Sequence, residues 1–283
     1  MENNNVTKDG YMEEVNSDVL NQQEITKRIQ TKWAGREVVF LEETGSTNME
    51  AARLAQEGAS HGCLVVADSQ SGGKGRRGRN WHTSKGSCIA MSLILKPKLE
   101  AEYASMLTLV QAMAVAKAIE EICQVDAQIK WPNDILVNEK KVCGILTEMN
   151  LEKTEISSII IGTGINVNEE SFPQEIKQIA TSLKIETKKM RSRADLIGRI
   201  CELFEVYFEQ FMETKDLSEF LEEYNSHLVS RGRVVKVLDP KGEFVGEAMG
   251  INARGELCVQ KENGEMVPVY AGEVSVRGIY GYV

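Results

Sequence analysis

CLVVADSQSGGKGRRGRNWHTSKGSCIAMSLIL, residues 63–95, decides how the chain is to be read. It opens and closes on apolar runs, 63–67 and 88–95, of the length and β-branched content that predict two buried strands. Between them SGGKGRRGRNWH, residues 71–82, gathers four glycines and four cations and then a tryptophan. A basic run is usually solvated surface, and an Arg/Gly tract can be a disordered nucleic-acid arm. Core strands on both sides make this one a loop inside a sheet.

Such a loop suits an anionic ligand. Glycine lets main-chain N–H groups approach and point at an anion, and Lys74, Arg76, Arg77 and Arg79 add charge-assisted donors. Trp81 offers a flat face for a purine. The G-x-x-x-x-G-K-[ST] spacing of a P-loop is absent. Four like charges repel when no ligand is present, so the loop is expected to order on binding.

Working outward, residues 37–42 read as a strand. Thr47 and Glu50 have the spacing of a capping box, opening a helix through Gln56 with Gly58 as its stop. Residues 103–123 predict a largely buried helix. Strands follow at 127–131, 135–137, 142–149 and 156–162, with turns at 138–140 and 150–153. Amphipathic helices return over 193–214 and 217–228. One sheet backed by helices, with several hairpins, is an α+β or mixed α/β arrangement. After Arg231 the texture becomes short strands at 234–238, 244–248, 256–259 and 274–277 between tight turns at 239–242, 252–255 and 262–265. That pattern predicts a small β-barrel. The domain reading is a polar tail with a short helix near 21–30 (1–32), a main domain (33–230) and the barrel (231–283).

Composition narrows the function. The chain has 283 residues and a net charge of -9, which disfavours a general affinity for nucleic acid. The six cysteines are scattered without a CxxC pair and read as reduced core thiols of a cytoplasmic protein. The three histidines show no ligand-like spacing, so no protein-held metal is expected. The opening residues lack the basic and apolar regions of an export signal, so export is not expected, and no apolar run approaches a membrane span of ~18 residues.

Four further stretches carry polar groups at strand or helix ends. In KWPND, residues 130–134, Pro132 should end a strand and display Lys130, Asn133 and Asp134; a plain turn with a surface ion pair is the alternative. Lys141 enters an apolar strand in which Gly144 leaves room at the backbone. GTGIN, residues 162–166, follows a buried strand but lacks the helix start of a dinucleotide fingerprint. Gly45, Ser46, Thr47 and Asn48 form a helix start that can also face a ligand.

In this order, these motifs resemble the biotin–protein ligase family, from about Trp33 to the C-terminus. The resemblance implies a class II synthetase-like α+β catalytic domain and a C-terminal SH3-like barrel. It also implies an ATP-dependent reaction through biotinyl-5′-AMP, with Mg²⁺ on the nucleotide, ending on one lysine of a biotin carboxyl carrier domain of a carboxylase. By the same resemblance Ser46, Thr47, Asn48, Gln70, Lys74, Gly75, Arg76 and Lys141 bind biotin, and Arg79, Trp81, Lys130, Asn133, Asn166 and Arg277 bind ATP. Arg76, Lys141 and Lys130 meet the developing charge, and Asp134 takes the proton of the incoming amine. Lys74 stands where the family motif usually has arginine, and an ammonium lacks the planar fork that makes bidentate contacts. Regulatory members carry an N-terminal winged helix-turn-helix of some 60 residues; here only about 32 residues, acidic on balance, precede Trp33, so no specific DNA binding is expected. The family also makes a homodimer through a sheet edge an open expectation. A lipoate–protein ligase or octanoyltransferase is the nearest enzyme alternative, and an RNA-binding module using residues 74–79 is the alternative from another class.

Overall fold

The computed structural model describes residues 18–153, 155–239, 242–271 and 275–278. The polar tail through residue 17, Pro240 and Lys241 of one expected turn, and Val274 of the last expected strand lie outside them.

Strands β1 (Val38–Thr44) and β2 (Leu64–Lys74) pair in parallel across helix α2 (Thr47–Gln56). The remaining pairs are antiparallel: β3 (Asn80–Thr83) on the far end of β2, β4 (Cys88–Leu95), β5 (Gln128–Lys130), β6 (Asp134–Val137), β7 (Lys140–Glu152) and β8 (Glu155–Asn166). The order across the sheet is β1-β2-β4-β8-β7-β6-β5, with β3 beside β2. A mixed sheet backed by helices is therefore the architecture, as the sequence predicts.

Period-2 alternation sorts the two faces. Leu64 and Val66 join the main core under helices α3 (Leu107–Cys123) and α5 (Arg193–Thr214), while Cys63 and Val65 pack with Ala51 and Ala55 of α2 in a smaller one. On the α2 face, Ala67, Ala90, Gly164, Gly144, Asp134 and Lys130 are register partners in turn across β2, β4, β8, β7, β6 and β5. The first four of that row are alanine or glycine and make a trough in the sheet.

Helix α1 (Gln22–Arg28) starts at Asn21, whose side chain accepts from Glu24 N–H. A short α4 (Leu183–Thr187), which the sequence pattern misses, has Ser182 as its cap. Helix α6 (Leu221–His227) leads to the C-terminal unit, where β9 (Val234–Leu238), β10 (Phe244–Ile251), β11 (Leu257–Gln260), β12 (Met266–Val269) and β13 (Ser275–Gly278) form one antiparallel sheet ordered β12-β11-β10-β9-β13. This arrangement is consistent with an SH3-like fold; among the described residues no pairing closes it into a barrel. Strand β12 escapes the sequence reading because it contains Pro268, which is tolerated there since β12 is an edge.

Two differences in local structure bear on function. The cap of α2 is Ser46, one residue before the expected Thr47, and it makes no side-chain capping bond. Glu50 turns instead to Arg53 Nε at 3.1 Å, which leaves the Ser46, Thr47 and Asn48 side chains to other partners. The glycine–arginine stretch is also more regular than a loop. Strand β2 runs on to Lys74, Arg76–Gly78 makes one tight turn, and β3 returns antiparallel.

Candidate active site

Each element end contributes one part of a cleft of about 390 Å³ on the α2 face. Its floor is the small-residue trough. A Cβ on Gly164 would overlap the Trp81 indole, and one on Gly144 would stand 3.1 Å from both Trp81 Cζ3 and Lys141 Nζ. Here glycine is required by close approach, so the indole lies directly on the backbone of β7 and β8.

Lys141 reaches the cleft through a bulge. Ile135 pairs with Cys143 but Leu136 pairs with Lys141, so Val142 is an extra residue. One extra residue inverts the alternation, and Lys141 shares the face of Gly144 while Val142 and Cys143 both enter the core. The backbone of Lys141 is clamped from the side: its N–H donates to Ile179 O at 2.8 Å and its carbonyl accepts from Thr181 N–H at 2.9 Å. Its ammonium contacts Asp134 Oδ1 at 2.6 Å and stands 5.4 Å from the Trp81 ring centroid.

Pro132 ends β5 where expected. Lys130 and Asp134 face each other across the β5–β6 turn, and Trp131 is buried with its indole N–H donating to Gly255 O of the C-terminal sheet at 3.0 Å. Burial pushes the Lys130 ammonium down to about 8; Asp134 works against this, and Lys141, Arg277 and Arg79 add to it. Asn133 donates to Ile145 O at 3.1 Å, which turns its Oδ1 to Arg76 Nη1, also at 3.1 Å. Arg76 Nη2 donates to Ala271 O at 2.7 Å. Burial holds the Arg76 guanidinium below its ordinary value, with Asp134 opposing; it remains cationic at any working pH.

The opposite end of the cleft is uncharged and hydrogen-bonded. Thr47 N–H donates to Gln70 Oε1 at 3.2 Å, and Ser92 Oγ lies 2.8 Å from Thr47 Oγ1 and 2.6 Å from Asn48 Oδ1. The Asn48 amide donates to Glu148 Oε2 at 2.6 Å.

The cleft thus brings together Ser46, Thr47, Asn48, Gln70, Lys74, Gly75, Arg76, Arg79, Trp81, Lys130, Asn133, Asp134, Lys141 and Arg277. Asn166 is not among its lining residues: it is buried, and its amide donates to Thr181 O at 3.1 Å. Sequence reasoning missed Ile179, which lines the cleft from a segment without periodicity. It also missed Ser92, although a lone serine inside the apolar run CIAMSLIL is itself a signal; that residue is fully buried. No group of metal-ligating side chains occurs among the described residues, and none of their helices is long and apolar enough to cross a membrane.

Comparison with known proteins agrees with this geometry. Residues 40–166 match the model of the biotin/lipoate A/B protein ligase family, and 232–277 that of the biotin protein ligase C-terminal domain. The bifunctional ligase/repressor BirA of Bacillus spizizenii is 38% identical over 91% of this chain and 79% of its own length. Biotin–[acetyl-CoA-carboxylase] ligase of Mycobacterium tuberculosis is 28% identical over 84% and 88%. Among solved structures, a biotin protein ligase from Aquifex aeolicus in complex with biotin and ATP superposes with a TM-score of 0.75 at 33% identity, covering 86% of this chain and 99% of that one. A trough of small residues, a cationic hairpin and this likeness together assign the chain to the biotin protein ligase family of enzymes.

Proposed function

We propose that the protein activates biotin with ATP and transfers it to a lysine of a biotin carboxyl carrier domain, that of acetyl-CoA carboxylase or a related carboxylase. In the first half-reaction a biotin carboxylate oxygen attacks the α-phosphorus of ATP. A mixed anhydride forms, the bond to the bridging oxygen of the β-phosphate breaks, and pyrophosphate leaves. Mg²⁺ arrives on the nucleotide as part of that substrate. In the second, the neutral ε-amine of the acceptor attacks the acyl carbon. AMP leaves with the bonding pair, and the nitrogen loses a proton as the amide forms.

The observation that carries this reading is the convergence of Arg76, Lys130 and Lys141 on one cleft whose other end is the uncharged group Ser46, Thr47 and Asn48. Two anions must approach each other in the first step, and fixed cations in a partly desolvated site offset their repulsion. The uncharged end suits the bicyclic head of biotin, and the cations its carboxylate and the phosphates. Trp81 and Arg79 on the hairpin, with Arg277 from β13, cover the nucleotide and keep water from the anhydride. Asp134 contacts the Lys141 ammonium, so we assign it to holding that ammonium over the trough ahead of accepting a proton from the acceptor amine.

The test is isotope exchange of pyrophosphate into ATP, followed by addition of a carrier domain. Exchange should require biotin and not be supported by lipoate, and one carrier lysine should gain the mass of one biotinyl group. Exchange supported by lipoate and not by biotin would move the protein to the lipoate branch of the family.

A further inference from the structure

Glu148 lies outside the cleft lining, yet a chain of hydrogen bonds connects it to the uncharged end. The Asn48 amide nitrogen donates to Glu148 Oε2 at 2.6 Å and lies 3.3 Å from Leu146 O. A carboxylate and a carbonyl only accept, so they fix which end of the amide is nitrogen. Asn48 Oδ1 therefore points the other way, to Ser92 Oγ at 2.6 Å. Ser92 has one proton and is fully buried; an amide oxygen can only accept, so that proton goes to Asn48. Ser92 Oγ is also placed to donate to Thr47 Oγ1 at 2.8 Å, but its single proton is spent on the shorter bond to Asn48, so this contact takes its proton from Thr47. The Thr47 hydroxyl proton is committed inward, and its free lone pair is what the cleft receives. Beside it, Gln70 Oε1 is occupied by Thr47 N–H, so Gln70 has its amide protons to offer.

We propose that Glu148 is a positioning residue for biotin. By orienting the Asn48 amide it sets, through Ser92, the direction of the Thr47 hydroxyl, so that the cleft offers an acceptor to a ligand N–H next to a donor for a carbonyl. A cyclic urea edge has that pair of groups. Without the carboxylate only the longer 3.3 Å contact to Leu146 O holds the amide nitrogen; the amide can then turn over, Ser92 can donate to Thr47, and the acceptor becomes a donor facing another donor. The inference rests on the biotin reading above and adds the residue that fixes its polarity.

The experiment is steady-state biotin-dependent pyrophosphate exchange with the parent, Glu148→Ala, Glu148→Gln and Thr47→Val, each with and without the other site changed. Glu148 is exposed at the surface of β7, and the melting temperature of each Glu148 single variant should match the parent. Glu148→Ala should raise KM for biotin about threefold to tenfold, the scale of a partly solvated bond to a charged group, with kcat and KM for ATP within about twofold. Glu148→Gln should stay near the parent, because its amide oxygen still accepts from Asn48. In the Thr47→Val background Glu148→Ala should have little further effect, since the hydroxyl it orients is gone. An unchanged biotin KM in Glu148→Ala would overturn the proposal, as would a Glu148→Gln as impaired as alanine, or effects at the two sites that multiply. A parent without biotin-dependent exchange would sink the underlying reading along with it; a saturable parent with an indifferent Glu148 would sink this inference alone.

Discussion

At the scale of single residues, Lys130 and Arg76 make distinct demands. Burial lowers the Lys130 pKa to about 8, so the ammonium that we propose binds phosphate is present below that pH and lost above it. For the free enzyme, kcat/KM for ATP should fall as pH rises through about 8. Lys130→Arg should retain activity and flatten this alkaline limb, as the pH profile of exchange will show. Arg76 joins the hairpin to Asn133 and to the carbonyl of Ala271. Arg76→Gly should still form the adenylate but lose it to solvent, read as biotin appearing on bystander amines in a mixture of proteins. These positions were legible as candidates because Lys130, Asn133, Asp134, Arg76 and Lys141 are polar groups at places where the surrounding pattern asks for apolar or turn residues. The bulge that turns Lys141 inward was not legible, since an extra residue in a strand shows only against its partner strand.

At the scale of elements, α5 holds the segment that leads into β1. Glu205 accepts backbone N–H bonds from Lys32, Trp33 and Ala34 at 2.8, 2.7 and 3.0 Å. Burial acts to raise its pKa, but the three bonds together outweigh burial and hold it below the ordinary 4.5. A depressed carboxyl stabilises the fold above its unfolded pKa, and that contribution is lost as pH falls through the folded one. Glu205→Gln should lower stability by about 1–3 kcal/mol at pH 7, and the deficit should shrink below pH ~4; denaturant melts at the two pH values check both. Strand and helix periods were readable for β4, α3 and α5, whose bounds match closely. The start of α2 shifted by one residue because spacing alone cannot tell a capping hydroxyl from one spent on Ser92.

At the scale of the molecule, Arg193 ties three regions together. It is fully buried, with its guanidinium 2.5 Å from Asp18 Oδ2 and 2.6 Å from Asp68 Oδ1, so the segment before α1, strand β2 and helix α5 meet on one cation. Removing it leaves two carboxylates without their counter-charge. Arg193→Leu should cost about 3–5 kcal/mol, seen as a lower urea midpoint with an unchanged slope. The C-terminal sheet is tied to the catalytic one through Trp131 to Gly255 O and Arg76 to Ala271 O. The change of texture after Arg231 marked that sheet in the sequence. The pairing of β4 with β8, more than 60 residues on, left no local trace, because long-range order is chosen by packing.

The indole resting on two glycines gives the protein an optical probe of its own occupancy. Trp33 is wedged against His61 and Phe208 at ring separations of 4.5 and 5.2 Å, and Trp131 is locked to a carbonyl. Trp131 also lines the cleft but is held in place, whereas Trp81 lies over the glycine floor of the trough, and among the described residues its buried Nε1 has no acceptor. Loading biotin and nucleotide should therefore shift the intrinsic emission of the enzyme, and Trp81→Phe should silence that response while the other two tryptophans continue to fluoresce.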